Sequence, residues 1–271
     1  MSYGKCGEFK TIRRLDVLSN NPFKVHNIEH LSPSKVNLWV TDPALFVGTY
    51  LCDMKGSFGV GAFRGTAVEY ALEKKLQNPS YPTKTVDEFL YGKFESECLE
   101  HGVSLEDEKT QKERGTLDSY LNTAFSKYES LGKPTHYQHK IYYSIHEDLP
   151  IPFLGYIDFV YDDCIRDLKT VGAKPSKFSE AHQRQLAVYS KAFPDKELWC
   201  DYVTKKEAMS FKLNNVEQRL KEVVKICFGL QRFLSISNDP YELASMVYPN
   251  YDSWMWNEEM KNQATKIWSN K

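Results

Sequence analysis

The chain has 271 residues, 41% of them hydrophobic and 26% charged, with a formal net charge of −1. That length can bury a sizeable core and fits one elaborated domain over 1–271; the charge excludes an overall attraction for nucleic acid, so any DNA binding must rest on a local basic surface. No run is apolar and long enough to span a membrane, the N-terminus lacks the apolar segment of a signal peptide, and six scattered cysteines without a CxxC point to reduced thiols in a cytoplasmic setting rather than to a zinc ribbon or clustered iron–sulfur site.

Residues 1–30 are polar and irregular and read as an arm. Ser32-Pro33-Ser34 opens a helix, with serine as its cap and Val36, Leu38, Trp39 and Val40 behind it. Asp42-Pro43 restarts the chain into a second apolar helical segment over 44–51, and 55–61 is a glycine-bearing loop. Over 62–76, Phe63, Ala67, Ala71 and Leu72 recur at helical spacing, which places Glu69 and Glu73 on one face. Residues 78–82 break that helix, and 95–114 is a charged region without a pattern. Helix is expected again over 117–131, an alternating strand over 136–146, and two more strands within 151–170. A helix over 179–193, a fourth strand over 197–203 and a long amphipathic helix over 214–233 follow, with shorter segments at 241–247 and 258–268. Helices, a small sheet, an inserted helix and more helices predict a mixed α/β domain.

The chemistry concentrates in IPFLGYIDFVYDDCIRDLKT, residues 151–170. Alternate residues of a strand share a face, so Asp167 and Lys169 point the same way with Ile165, and Leu154, Tyr156, Asp158 and Val160 share a face of the preceding strand. Gly155 lets the backbone pass close to a neighbour. Paired strands would converge both aspartates on one point. Mg²⁺ prefers oxygen ligands and polarises a phosphoryl oxygen while acidifying a bound water. Lys169 beside it could orient or deprotonate that water, or stabilise transition-state charge. An acid-x-Lys triplet alone says little, because five others occur, at Glu8/Lys10, Asp53/Lys55, Glu73/Lys75, Asp107/Lys109 and Glu259/Lys261. Only the one at Asp167 follows an apolar strand with its own aspartate and precedes a turn and helix.

Gly65-Thr66-Ala67-Val68-Glu69, Gly155-x-x-Asp158, Asp167-Leu168-Lys169-Thr170 and Gln185-x-x-x-Tyr189 resemble, in order, the motifs of PD-(D/E)XK nucleases of the RecB-like branch. Ser32-Pro33-Ser34, Trp39 and Asp42-Pro43-Ala44-Leu45-Phe46 are similar to the opening helices of bacteriophage members. The resemblance covers roughly residues 30–205. It implies a restriction-endonuclease-like core, a central mixed sheet of about four or five strands flanked by helices, with extra N- and C-terminal helices. Residues 30–130 would form a mainly helical region carrying Glu69, 136–205 the catalytic sheet and helix, and 206–271 a helical C-terminal region.

On that resemblance Glu69, Asp158, Asp167 and the Leu168 carbonyl bind Mg²⁺ or Mn²⁺, and Asp158, Asp167 and Lys169 are catalytic. Gln185 and Tyr189 support the site and contact the DNA backbone. Arg184 and Lys174 are further DNA-contact candidates, within a scattered basic set that includes Arg166, Lys177, Lys191, Lys205 and Lys206. Glu69 stands where the branch often has His, Ile157 replaces a proline before Asp158, and the branch's four-cysteine pattern is absent, so no iron–sulfur cluster is expected. His182 reads as a surface or DNA-facing residue. Tyr248, Tyr251, Trp254 and Trp256 read as core packing, with stacking on single-stranded bases as the alternative.

The implied activity is a metal-dependent deoxyribonuclease, an exonuclease acting on linear ends or single strands in phage replication, recombination or DNA breakdown. The alternatives are a flap- or junction-cutting endonuclease of the same superfamily and an inactive DNA-binding module. The chain has no GxxxxGK[ST] phosphate loop, so it would act alone, as an oligomer, or with a single-strand annealing or replication partner, in the cytoplasm of a bacterial host if phage-encoded.

Overall fold

Proline marks where the first helices begin. In the structure, a computed structural model that describes residues 21–56 and 59–269, Pro22, Pro33 and Pro43 each stand at the first turn of a helix, where a missing N–H costs nothing. These are α1 (Pro22–Val25), α2 (Pro33–Thr41) and α3 (Pro43–Leu51). Ser32 Oγ accepts from Lys35 N at 3.2 Å and Asp42 Oδ1 from Leu45 N at 2.9 Å, satisfying N–H groups that a helix start leaves free. Most of the expected arm, with Cys6 and the Glu8/Lys10 triplet, lies outside the described residues, as do two positions of the 55–61 loop.

The Glu69 helix, α4 (Val60–Gln77), buries Phe63, Ala67, Val68, Ala71, Leu72 and Leu76 along one stripe. Where the sequence shows a charged region without a pattern, the structure has α5 (Thr83–Glu100) and α6 (Glu108–Arg114). The apolar contacts of α5 come from Val86, Leu90, Phe94 and Cys98, one residue per turn. So narrow a stripe among charges gives little periodic signal. Next come α7 (Leu117–Glu129) and β1 (His136–Tyr143).

The sheet continues with β2 (Phe153–Val160), β3 (Cys164–Thr170), α8 (Glu180–Tyr189), β4 (Glu197–Val203) and β5 (Ala208–Lys212). Its five strands lie in chain order. All neighbouring pairs are antiparallel except β3 and β4, which α8 connects in parallel. A tight hairpin joins β2 to β3, closed by Tyr161 N donating to Cys164 O at 2.8 Å. The chain ends in α9 (Val216–Leu234), α10 (Pro240–Ala244) and α11 (Glu258–Trp268). The predicted fold class holds: a mixed five-stranded sheet with helices on both faces.

Two apolar layers cover the sheet. On one face Ile141, Phe153, Ile157, Ile165, Leu198 and Cys200 pack with α2, α3, α8 and α9. On the other, Phe159, Cys164, Leu168 and Val203 meet α4, α5 and α7. The shared face expected for Leu154, Tyr156, Asp158 and Val160 does not survive. Ile157 and Val160 belong to the first layer and Phe159 to the second, so the alternation of β2 switches at Asp158. The β2–β3 ladder stops at the same place, with only Phe159↔Arg166 and Val160↔Ile165 paired. Beyond those rungs the two strands part, and the gap holds the polar cluster.

Candidate active site

Asp158 stands where β2 and β3 separate. Its Oδ2 accepts the Leu168 N–H at 2.7 Å, taking the donor that the ended ladder leaves free. Asp167 is wholly buried on β3 and Asp158 nearly so. Asp167 and Lys169 face α8, as strand periodicity predicts, and Lys169 Nζ lies 2.6 Å from Asp167 Oδ2. That oxygen accepts no further hydrogen bond among the described residues. The other, Oδ1, accepts from Gln185 Nε2 at 2.9 Å.

Gln185 and Tyr189, one turn apart on α8, form a relay. The second N–H of the Gln185 amide goes to Tyr189 Oη at 2.9 Å, and Tyr189 donates to the Tyr156 carbonyl at 2.7 Å. Every donor in the relay has an acceptor, so α8 holds Asp167 through Gln185 and is itself tied to β2 through Tyr189. Gly155 makes this approach possible. A Cβ there would lie 3.0 Å from Tyr189 Cε1 and 3.2 Å from Ile141 Cγ1.

Glu69 enters from α4, half-buried, with Gln138 Nε2 of β1 donating to its Oε1. Burial first, and then the charge of Asp158, raise the Glu69 carboxyl well above the usual range. Burial and Asp167 push Asp158 up to about 7, against the pull of Lys169 and the Leu168 N–H. The charge of Asp158 acts against ionisation of Glu69, so without a cation the pair favours keeping a proton between them. Burial acts to discharge Lys169, but Asp167 and Asp158 outweigh it and hold the ammonium well above its ordinary range. Without a metal these two carboxylates favour the ammonium form of Lys169.

The remaining predicted residues divide. Arg184 does not face the site: it is buried, with Nε donating to Asn37 Oδ1 at 2.8 Å and Nη1 to Glu222 Oε1 at 2.9 Å. It ties α8 to α2 and α9, which removes it from the DNA-contact candidates. Arg166 is likewise buried, on the far face of the sheet, gripping both Asp201 oxygens at 2.9 and 3.0 Å. Lys174 is exposed and pairs with Glu207 at 2.8 Å, whereas Lys177, Lys191, Lys205 and Lys206 are exposed. His182 hydrogen-bonds Tyr202 Oη at 2.6 Å, and burial and Lys169 lower it to about 4. The aromatic tail splits: Trp256 is buried and donates to Asp42 Oδ2 at 2.6 Å, while Tyr248 and Trp254 are 82% and 91% exposed. Gln138 was not foreseen, since nothing in an alternating strand sequence tells which residue will turn toward the neighbouring helix.

Among the described residues no three His, Cys, Asp or Glu side chains already meet as a metal cage, and the Lys169 ammonium stands on Asp167. The donors nonetheless suit a hard divalent cation. All are oxygens, and three acids against one ammonium leave a formal excess of two negative charges when ionised. No helix among the described residues is long and apolar enough to cross a membrane.

Comparison with known proteins adds an independent line. A family model described as the PD-(D/E)XK nuclease superfamily matches residues 30–269. None of the curated proteins compared with the chain matches it. A solved structure titled "Crystal structure of SSO0001" aligns at 13% identity over 73% of this chain and 83% of that one, with a TM-score of 0.31, too low to carry an argument.

Proposed function

Since the chain belongs to the PD-(D/E)XK nuclease superfamily, we propose that it is a divalent-metal-dependent deoxyribonuclease of the RecB-like, bacteriophage type, acting as an exonuclease on DNA ends. The observation that carries the reading is the meeting of Glu69 from α4, Asp158 from β2 and the Asp167–Lys169 pair from β3 in the gap between two strands. Such a buried acidic cluster is costly to a fold without a cation.

Glu69, Asp158, Asp167 and the Leu168 carbonyl would hold Mg²⁺ or Mn²⁺. When bound, the metal supplies Lewis acidity toward a phosphoryl oxygen and lowers the pKa of a water. The protein's own part is placement and charge. Asp158, anchored by the Leu168 N–H, and Asp167, anchored by Gln185, present oxygens that need little reorganisation. Lys169, held charged by Asp167, sits where negative charge develops and orients the attacking water. Tyr189 and Gln185 keep α8 on the site, and contact with the DNA backbone belongs to this same helix.

The test is cleavage of linear duplex, single-stranded and covalently closed circular DNA with Mg²⁺ or Mn²⁺, using wild type beside Asp167→Ala and Lys169→Ala. Wild type should degrade the linear substrates and spare the circle, with both variants slowed at least ~10²-fold. Cutting of the circle would move the assignment to an endonuclease. Equal activity in all three proteins, or none in wild type with either metal, would remove the nuclease reading.

A further inference from the structure

Gln138 is the one residue of the β-sheet with a left-handed backbone among the described residues, at φ +45°, and it is not a glycine. The β1–β2 register runs from His136↔Val160 and Tyr137↔Phe159 to His139↔Ile157 and onward without a slip, yet the rung between them, Gln138 opposite Asp158, is not formed. In a regular strand Tyr137, His139 and Ile141 would share a face. Here Tyr137 meets Phe159 edge-on at 6.0 Å in the α4/α7 layer, while His139 meets Phe193 at 5.1 Å and Ile141 lies in the opposite layer. The left-handed residue therefore reverses the alternation of β1 beside the reversal of β2 at Asp158. It also carries the Gln138 side chain across to α4, where its amide donates to Glu69 Oε1.

Left-handed conformations at non-glycine residues persist only where the surroundings over-determine them, and they gather at functional sites. A glycine would satisfy the backbone at no strain, and it would offer Glu69 nothing. We infer that Gln138 is a positioning residue of the nuclease site, holding Glu69 against Asp158 so that the two carboxylates offer a preset pair of oxygens to a divalent cation. The inference rests on the nuclease reading above. The division of labour is specific: the backbone of Gln138 reverses the alternation of β1 beside Asp158, and its side chain aims Glu69. Partners that orient a ligating side chain in this way affect metal affinity as well as rate.

Three substitutions separate these roles in the full chain. Gln138→Gly keeps the left-handed backbone and deletes the amide. Gln138→Asn tolerates the same backbone but ends its amide one methylene short. Glu69→Gln deletes the carboxylate they act on. Mn²⁺ binding without DNA, read by electron paramagnetic resonance, is measured beside cleavage of linear duplex and thermal unfolding. Gln138→Gly should unfold at or above the wild-type temperature and bind Mn²⁺ at least ~10-fold more weakly, with Gln138→Asn weakened in the same sense. In the Glu69→Gln background the added Gln138→Gly should cause no further loss, because residues acting as one unit are not additive. The inference is overturned if Gln138→Gly and Gln138→Asn bind Mn²⁺ and cleave as wild type does while Glu69→Gln is impaired. It is equally overturned if the double variant shows the product of the two single losses, the mark of an independent contact. A wild-type protein that neither binds Mn²⁺ nor cleaves DNA brings down the nuclease reading itself, and this inference with it.

Discussion

Lys169 is the residue on which the charge balance of the cluster turns. Its ammonium is the partner of a buried Asp167 oxygen that has no other, so removing it leaves a buried charge uncompensated. Breaking such a pair from one side costs about 3–5 kcal/mol. Lys169→Met should therefore lower the unfolding temperature of the metal-free protein by roughly 5–15 °C for a chain of this size, and Mn²⁺ should restore part of it. A change below about 2 °C in EDTA would show that solvent, not Lys169, neutralises Asp167. Strand and helix periodicity put Asp167 and Lys169 on one face of β3 and Gln185 and Tyr189 on one face of α8, but it was the motif order of the family resemblance that marked Gln185 and Tyr189 as candidates for the site. Arg184 was misplaced because its partners, Asn37 and Glu222, lie 147 and 38 positions away. Sequence spacing carries no trace of which helix will close over a guanidinium. Gln138 was illegible for a related reason, since a backbone angle leaves no mark when the residue is not glycine.

At the scale of elements, the site depends on how closely α8 approaches β2. Gly155 allows the Tyr189 ring onto the strand, and a Cβ at 3.0 Å from Cε1 forces either the ring or the strand to move. Gly155→Ala should destabilise the protein by about 1–3 kcal/mol, the usual cost of overpacking. It should also weaken Mn²⁺ binding, because the displaced Tyr189 no longer holds Gln185 on Asp167. A variant with unchanged stability and metal affinity would show that α8 is free to shift outward. The elements that position the site were readable because each carries a strong local signal: a proline or capping residue at α2 and α3, alternation in β1, and a short apolar run in β2. Those outside it were not. α5 shows one apolar residue per turn among charges, and β5 is a five-residue edge strand with no fully buried residue, so neither exceeds the background of an ordinary polar surface. The switch of alternation at Asp158 was hidden as well, because it arises from β1 and β3 together rather than from β2.

For the whole molecule, the buried acids link folding stability to pH and metal in a direction that can be worked out. Glu69 and Asp158 bind protons more tightly folded than unfolded, Asp158 holding its proton up to about 7 and Glu69 held well above the ordinary carboxyl range. Their contribution is therefore complete below about pH 4, where both states are protonated, and is lost as pH rises through the folded values. His182, lowered to about 4 by burial and Lys169, acts in the opposite sense but only below about pH 6.5, its unfolded value. The interval from pH 6.5 to 8.5 thus isolates the carboxyl pair. Each proton retained by the folded state and absent from the unfolded one changes stability by about 1.4 kcal/mol per pH unit, so Asp158, releasing its proton near 7, should by itself cost the metal-free protein on the order of 1 kcal/mol across it, with Glu69 acting in the same sense. For a chain of this size about 1 kcal/mol is a fall of roughly 2–4 °C in unfolding temperature. A divalent cation competes with those same protons, so the stabilisation by 1 mM Mn²⁺ should be larger at pH 8.5 than at 6.5. Asp158→Asn removes one of the two titrating groups and should flatten both dependences. An unfolding temperature in EDTA that does not fall over this interval, or a Mn²⁺ shift of the same size at both ends of it, would mean that the Glu69–Asp158 pair does not share a proton in the folded protein. The cluster would then be neutralised by some other cation, and Lys169 is the only one that the described residues place against it.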